Sequence, residues 1–142
     1  REDSNYRKII NEADVVTILR DKGYKVINPQ LYEIEEQIEI FSNAEKIIAP
    51  HGSNLANIIF CNPGTEIFEI TPSFTENENF FESRYAKLSM INHLKHNKIF
   101  SDTIDVENHS SLAKKYIHKN VLIQSNYYKN LIVKIQDLKE IS

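Results

Sequence analysis

The stretch KIIAPHGSNLANIIF, Lys46 to Phe60, joins two apolar runs through a polar turn. Its first run, Ile47 to Ala49, is typical of a short buried strand. The glycine of the turn lets the chain bend sharply or lets a ligand approach the backbone, because it has no Cβ. An ordinary surface turn has no need of the histidine at position 51. The stretch therefore predicts a strand that ends at a ligand-facing turn.

Outward from this stretch, helical and extended patterns alternate along the chain. Apolar residues at helical spacing predict four helices, over Ala13 to Leu19, Ile34 to Ala44, Phe81 to Ile91 and Tyr128 to Leu138. Strands are predicted at 24–27, 46–49 and 66–70, with weaker candidates at 98–100 and 121–123. This alternation is typical of βα units, so we predict an α/β fold: one Rossmann-like, three-layer domain over 1–142 with a mostly parallel sheet. Ligands of such sheets bind beyond the carboxyl ends of the strands, which is where His51 falls.

Composition narrows the class of protein. The 142 residues are 41% hydrophobic and 26% charged, as in ordinary globular domains. No apolar run approaches the roughly 20 residues of a membrane-spanning helix. Seventeen basic against twenty acidic residues give a net charge of −3, which does not favour a nucleic-acid partner. Because Cys61 is the single cysteine, a reducing compartment is favoured. Its side chain is predicted to be a small buried one. Because the chain begins at Arg1, we expect it to be a fragment of a larger enzyme.

The turn itself offers groups that suit a phosphate. His51 can donate a hydrogen bond to a phosphate oxygen or transfer a proton near neutral pH. Ser53 or Asn54 is predicted to cap a short helix, Leu55 to Asn57, whose first N–H groups then face an anion. A capped turn whose histidine bonds only its own loop fits the same spacing equally well.

Two arginines near the start of the chain add a second basic element. Arg1 and Arg7 precede Asn11, which is predicted to be the N-cap of the first helix. A guanidinium group binds phosphate oxygens in a bidentate fork, which suits a diphosphate. Ion pairs of these arginines with neighbouring acidic residues are the simpler alternative.

The remaining candidates are a carboxylate and two histidines. Glu69 lies near the end of its predicted strand, where it can bind ribose hydroxyls or act as a base; the alternative is a solvent-facing strand residue. His93 and His96 stand three residues apart but lack a third ligand, so we predict no zinc site. The pair Gly52-Ser53 lacks the second glycine of a nucleophile elbow, which disfavours a serine hydrolase.

The order of these pieces resembles the C-terminal half of family-61 glycosyltransferases. This group includes the EGF-domain O-GlcNAc transferase, plant xylan arabinosyl- and xylosyltransferases and bacterial capsular polysaccharide biosynthesis proteins. The resemblance is carried by Arg1 with Arg7 to Glu12, Gly23 to Ile27, Glu36-Gln37, His51 to Asn57, and Pro63 to Ile70. Its most specific part is the His-Gly-Ser-Asn-Leu-x-Asn block, and it extends to about Thr71.

The resemblance implies a GT-B fold and an inverting transfer of a sugar from a nucleotide sugar, UDP-linked or other, to a hydroxyl of a glycan. No metal cofactor is expected. The implied catalytic residues are His51 and Glu69. The implied donor-binding residues are Arg1, Arg7, Asn11, Gly52, Ser53, Asn54 and Asn57. The missing N-terminal half is an expected partner, so the isolated chain is expected to bind donor without turning it over.

Two other functions remain open at this point. One is a non-catalytic nucleotide-binding or interaction module derived from such a domain, and the other is a small α/β hydrolase using His51. The composition, rich in Lys, Asn and Ile, suits a bacterial cytoplasmic enzyme of capsular or surface polysaccharide synthesis. Membrane association through the missing part is compatible with this expectation.

Overall fold

The computed structural model describes residues 8–72, 84–104 and 130–141. Contacts divide the chain into two compact units. Among the described residues, the first unit holds 8–25, 72, 100–104 and 130–141, and the second holds 26–71 and 84–99. The prediction of a single domain over 1–142 stays a prediction. No helix in the described ranges has the length and apolar content needed to cross a membrane.

Helices and strands both contribute to the structure, which confirms the predicted α/β class. The helices are α1 (Glu12–Asp21), α2 (Ile34–Ser42), α3 (Arg84–Ile91) and α4 (Ile135–Lys139), with 3-10 helices at Pro29–Leu31 and Ser53–Phe60. The strands are β1 (Lys46–Pro50), β2 (Glu66–Pro72), β3 (Lys95–Ile104) and β4 (Asn130–Ile132), in the order β1-β2-β3-β4.

The strand pairs differ in direction. β1 and β2 are parallel, as predicted, with Lys46 opposite Glu66 and Pro50 opposite Ile70. β3 and β4 are antiparallel, an orientation that the alternating pattern did not predict. The four-stranded sheet is mostly parallel, as predicted, with β3 and β4 as an antiparallel pair, and the likeness to a GT-B half stays a prediction.

In the first unit, α1 packs against α4. The buried side chains of α1 are Val15 and Leu19, and that of α4 is Leu138. After α1 the backbone turns at Gly23, whose φ of +88° is readily adopted only by a residue without a Cβ. The predicted first helix is therefore confirmed.

Two predictions near the first unit are wrong. The helix predicted over Tyr128 to Leu138 is, in its described part, strand β4 followed by the short helix α4. Backbone pairing explains the difference, because Leu131 N donates to Lys8 O at 2.8 Å and Leu131 O accepts from Ile10 N at 2.9 Å. The strand predicted at 24–27 is not formed; Val26 is 49% exposed, and none of the described strands pairs with this segment.

In the second unit, α2 and α3 both pack against the 3-10 helix Ser53–Phe60. The buried core of this unit consists of Phe41, Leu55, Ile58, Cys61, Ile67 and Leu94. Cys61 is buried in this core, as predicted, and its burial raises the pKa of the thiol to about 11.

The second predicted helix is confirmed as α2, and its N-terminus explains why it begins where it does. The side chain of Glu36 accepts from the backbone N–H of Glu33 at 2.9 Å, and the Glu33 side chain accepts in return from the N–H of Glu36. This reciprocal capping box satisfies two donors that a helix start leaves open. The predicted strand at 98–100 lies within the longer β3, while the candidate at 121–123 and Phe81 lie outside the described residues.

Candidate functional site

The parallel register of β1 and β2 determines where His51 lies. Ala49 is opposite Glu69 and Pro50 is opposite Ile70. His51 follows β1 directly, and its backbone N–H donates to Ile70 O at 2.8 Å. The sequence-predicted residues His51 and Glu69 are therefore brought together on neighbouring strands of one unit.

Glu69 is the centre of a buried polar cluster with two histidines. Its Oε1 is bonded to His51 Nδ1, and its Oε2 lies 2.8 Å from His96 Nε2. The residue is only 1% exposed. We call His51, Glu69 and His96 the histidine–carboxylate cluster.

The charge of Glu69 follows from these contacts. Burial by itself raises the pKa of a carboxyl group, but the hydrogen bonds from His51 and His96 and their positive charge outweigh it, so the pKa of Glu69 is lowered to about 2. Glu69 is therefore ionised at neutral pH. An ionised carboxylate only accepts hydrogen bonds, so His51 Nδ1 and His96 Nε2 are the donors.

This bond fixes what the other ring nitrogen of His51 can do. With the proton on Nδ1, Nε2 accepts a hydrogen bond or a proton in the neutral ring and donates in the charged ring. His51 is thus suited to donate to an anion or to exchange a proton.

The turn after β1 is held by Tyr85 from α3. Its Oη donates to Gly52 O at 2.6 Å, and its ring meets the ring of His51 edge-on, with 5.2 Å between the ring centroids. Gly52 O also accepts from Leu55 N at 2.9 Å. The residue at the N-cap of the 3-10 helix is therefore Gly52.

The prediction that Ser53 or Asn54 caps a helix from Leu55 to Asn57 is wrong. Both residues belong to the first turn of the 3-10 helix Ser53–Phe60, and both are exposed. No side-chain capping bond is present at this helix start. The role of Ser53 and Asn54 in donor binding stays a prediction.

Two predicted donor-binding asparagines use their amides inside the protein. Asn57 Nδ2 donates to Gln37 Oε1 at 2.7 Å, which links the 3-10 helix to α2. Asn11 stands at the N-cap of α1 as predicted but makes no capping bond; its Nδ2 donates to Val133 O at 2.8 Å and its Oδ1 accepts from Val133 N at 3.1 Å. Asn11 belongs to the first unit. Arg1 and Arg7 lie outside the described residues.

Sequence reasoning missed two members of the site, His96 and Tyr85. His96 contacts a carboxylate 27 residues earlier, and Tyr85 contacts a carbonyl 33 residues earlier. The available signal was the neighbouring pair of strands, since extending the predicted strand at 98–100 back to Lys95 puts His96 next to β2. His93 lies before β3 and has a left-handed backbone conformation, with φ of 57°. Among the described residues, no group of three or more metal-binding side chains is arranged to hold a metal ion.

Comparison with known sequences bears on the same region. The sequence model of the family described as Glycosyltransferase 61 matches residues 1–68, slightly less than half of the chain. The match includes β1 and the turn at His51 and ends one residue before Glu69. No curated protein matches the chain at a significant level. The family resemblance seen in the sequence is confirmed for residues 1–68, which are similar to family-61 glycosyltransferases.

Proposed function

We propose that this chain forms the donor half of an inverting GT-B glycosyltransferase, which binds a nucleotide sugar and transfers its sugar to a hydroxyl. One observation carries the proposal: His51, directly after the parallel strand β1, is held by the buried and ionised Glu69. The carboxyl end of a parallel strand is the usual ligand position in such sheets. The family match over residues 1–68 supports the transferase class.

The reaction requires positive charge at the leaving group. Breaking the bond between the anomeric carbon and the diphosphate leaves negative charge on the phosphate oxygens, and fixed donors stabilise that charge in the transition state. In this proposal the charged ring of His51 donates to the diphosphate through Nε2 while Nδ1 donates to Glu69. In this scheme side chains take the part that a metal ion takes in other transferases, and the donor-binding role of Arg1 and Arg7 stays a proposal.

Glu69 has a different part in this proposal from the base predicted from the sequence. Both of its oxygens are bonded to histidines, and its low pKa makes it a weak proton acceptor near neutral pH. We therefore assign it to orienting His51 and holding a proton on its Nδ1. The base that takes the proton of the acceptor hydroxyl belongs, in this scheme, to the N-terminal half.

The substrates follow from the same scheme. The donor is a UDP-linked or other nucleotide sugar, and the acceptor is a glycan hydroxyl in bacterial surface polysaccharide synthesis. The enzyme acts in the cytoplasm, with its N-terminal half completing the cleft.

Titration of the chain with UDP, GDP, ADP and CMP, followed by amide NMR, tests the donor site. We expect one nucleoside diphosphate to shift the amides of Gly52 to Asn54, with weak affinity near 1 mM, or about −4 kcal/mol. His51→Gln should weaken that binding by roughly 10-fold or more, the effect of losing a hydrogen bond between charged groups. His93→Asn is the matched control, since asparagine tolerates its left-handed backbone and His93 stands outside the cluster.

Two results would contradict the donor site. If no nucleotide shifts the turn amides, the interaction-module function takes its place. Equal affinities of the His51→Gln variant and the unmodified chain would remove His51 from the site.

A further inference from the structure

Tyr85 contacts two residues of the turn at once, although it lies on a different element and outside the family match. Its hydroxyl donates to Gly52 O, and its ring contacts the ring of His51 edge-on. We infer that Tyr85 is a positioning residue that fixes the Gly52–Ser53 peptide so that the Ser53 N–H is presented to the donor diphosphate. The inference rests on the proposed function for its ligand, while the orientation of the peptide is a property of the chain alone.

Peptide geometry connects the Tyr85 hydroxyl to the Ser53 N–H. A trans peptide is planar, so its C=O and N–H bonds point in opposite directions. Gly52 O accepts two hydrogen bonds, from Tyr85 Oη at 2.6 Å and from Leu55 N at 2.9 Å. These two donors hold the carbonyl in one direction. The N–H of Ser53, in the same peptide plane, is thereby held in the opposite direction.

The position of Ser53 makes this N–H useful to a ligand. Ser53 is the first residue of the 3-10 helix, where N–H groups have no acceptor within the helix. The residue is exposed, and no side-chain cap covers this helix start. A donor whose direction is already fixed stabilises an anion without reorganising on binding.

The glycine before it explains why an anchor is needed. Gly52 has no Cβ, so its own backbone torsions restrain the following peptide less than those of any other residue. The hydrogen bond from Leu55 N belongs to a short 3-10 turn and by itself restrains this peptide weakly. The hydrogen-bond geometry of a 3-10 helix is poorer than that of an α-helix. A tyrosine hydroxyl from α3 adds a restraint that originates outside the turn.

Tyr85→Phe separates this role from packing. The ring of Tyr85 is half-buried and packs against the core cluster of the second unit, and phenylalanine preserves that packing and the contact with His51. The hydrogen bond to Gly52 is lost. Tyr32→Phe is the matched control, because it removes a hydroxyl from another half-buried tyrosine of the same unit.

The experiment measures the amide residual dipolar coupling of Ser53 in the ligand-free chain and then the affinity for UDP, GDP, ADP and CMP. In Tyr85→Phe we expect the Ser53 coupling to change while couplings in β1 and β2 stay constant. Affinity for the nucleotide that binds should fall about twofold to tenfold, the range for one neutral hydrogen bond. Tyr32→Phe should alter neither quantity.

An unchanged Ser53 coupling in Tyr85→Phe would overturn the inference, even if affinity fell. A changed coupling with unchanged affinity would also overturn it, because the N–H would then not contact the nucleotide. Failure of the proposed function looks different: the unmodified chain binds no nucleotide. In that case an altered coupling still assigns Tyr85 to the orientation of the peptide, and an unaltered one rejects it.

Discussion

Asn11 in the first unit and Glu69 in the second are both polar side chains that make two hydrogen bonds away from their own helix or strand. Asn11 bonds the N–H and C=O of Val133, so its partners are neutral backbone groups. Glu69 bonds two histidines, and all three groups can change charge. Both residues were predicted to belong to one site. Whether a polar residue supports the fold or can take part in a reaction therefore depends on its bonding partners more than on its motif.

Glu69→Ala should give the largest loss of stability and tests the contribution of the ionic contacts of Glu69. Removing the anion leaves the buried His51 and the partly buried His96 without their common acceptor. Loss of one partner from a buried charged cluster lowers the free energy of unfolding by about 3–5 kcal/mol. Denaturant titration at pH 7 measures it.

Glu66→Ala is the matched control on the same strand. Its carboxylate lies 3.4 Å from the exposed Lys95 Nζ, so the loss should stay within about 1 kcal/mol. Similar losses for the two variants would contradict the central position of Glu69.

The pH dependence of Glu69 should give the next largest effect. Because the folded chain lowers the pKa of Glu69 from 4.5 to about 2, the unfolded chain binds this proton more readily. The stability that Glu69 contributes is therefore complete above about pH 4.5 and is lost as the pH falls towards 2, a total of about 3 kcal/mol. Carboxyl 13C NMR of the folded chain should show Glu69 titrating near pH 2; titration at or above pH 4.5 would contradict the double histidine contact.

Asn11→Ala should give the smallest effect and no pH signature. It removes two neutral hydrogen bonds, so the free energy of unfolding should fall by about 1 kcal/mol. The difference from the unmodified chain should be the same at pH 7 and pH 4.5. Asn43→Ala is the control, since Asn43 is exposed and bonds only within its own helix end, and it should change stability by less than about 0.5 kcal/mol. A pH-dependent loss of stability in Asn11→Ala would contradict the assignment of neutral partners to Asn11.

The parts of the fold that could be predicted are those decided by local patterns. The apolar spacing of α1 and α2, the glycine after α1 and the apolar run of β1 each act within a few residues. Parallel pairing of β1 and β2 followed from the helix-like segments between strands. With that pairing, His51 and Glu69 could be predicted to lie at the same edge.

The rest depended on contacts between distant segments. Leu131 has helical spacing with its neighbours, but pairing with Ile9 and with β3 makes it part of a strand. The segment at 24–27 has strand-forming residues but no partner among the strands that the structure describes. Tyr85 and His96 reach the site from α3 and β3, and no local pattern records which residue of a helix or strand faces a histidine or a carboxylate.

The sharing of Glu69 by two histidines also limits how this site can change during evolution. One carboxylate satisfies both rings, so the effects of substitutions at His51, Glu69 and His96 are strongly non-additive. A lineage that first loses the carboxylate retains two imidazoles without their acceptor. One that first replaces the histidines retains a buried carboxylate without its donors. The three residues are therefore expected to be kept together or exchanged together, and a family member with only one of them has rebuilt the interior around it.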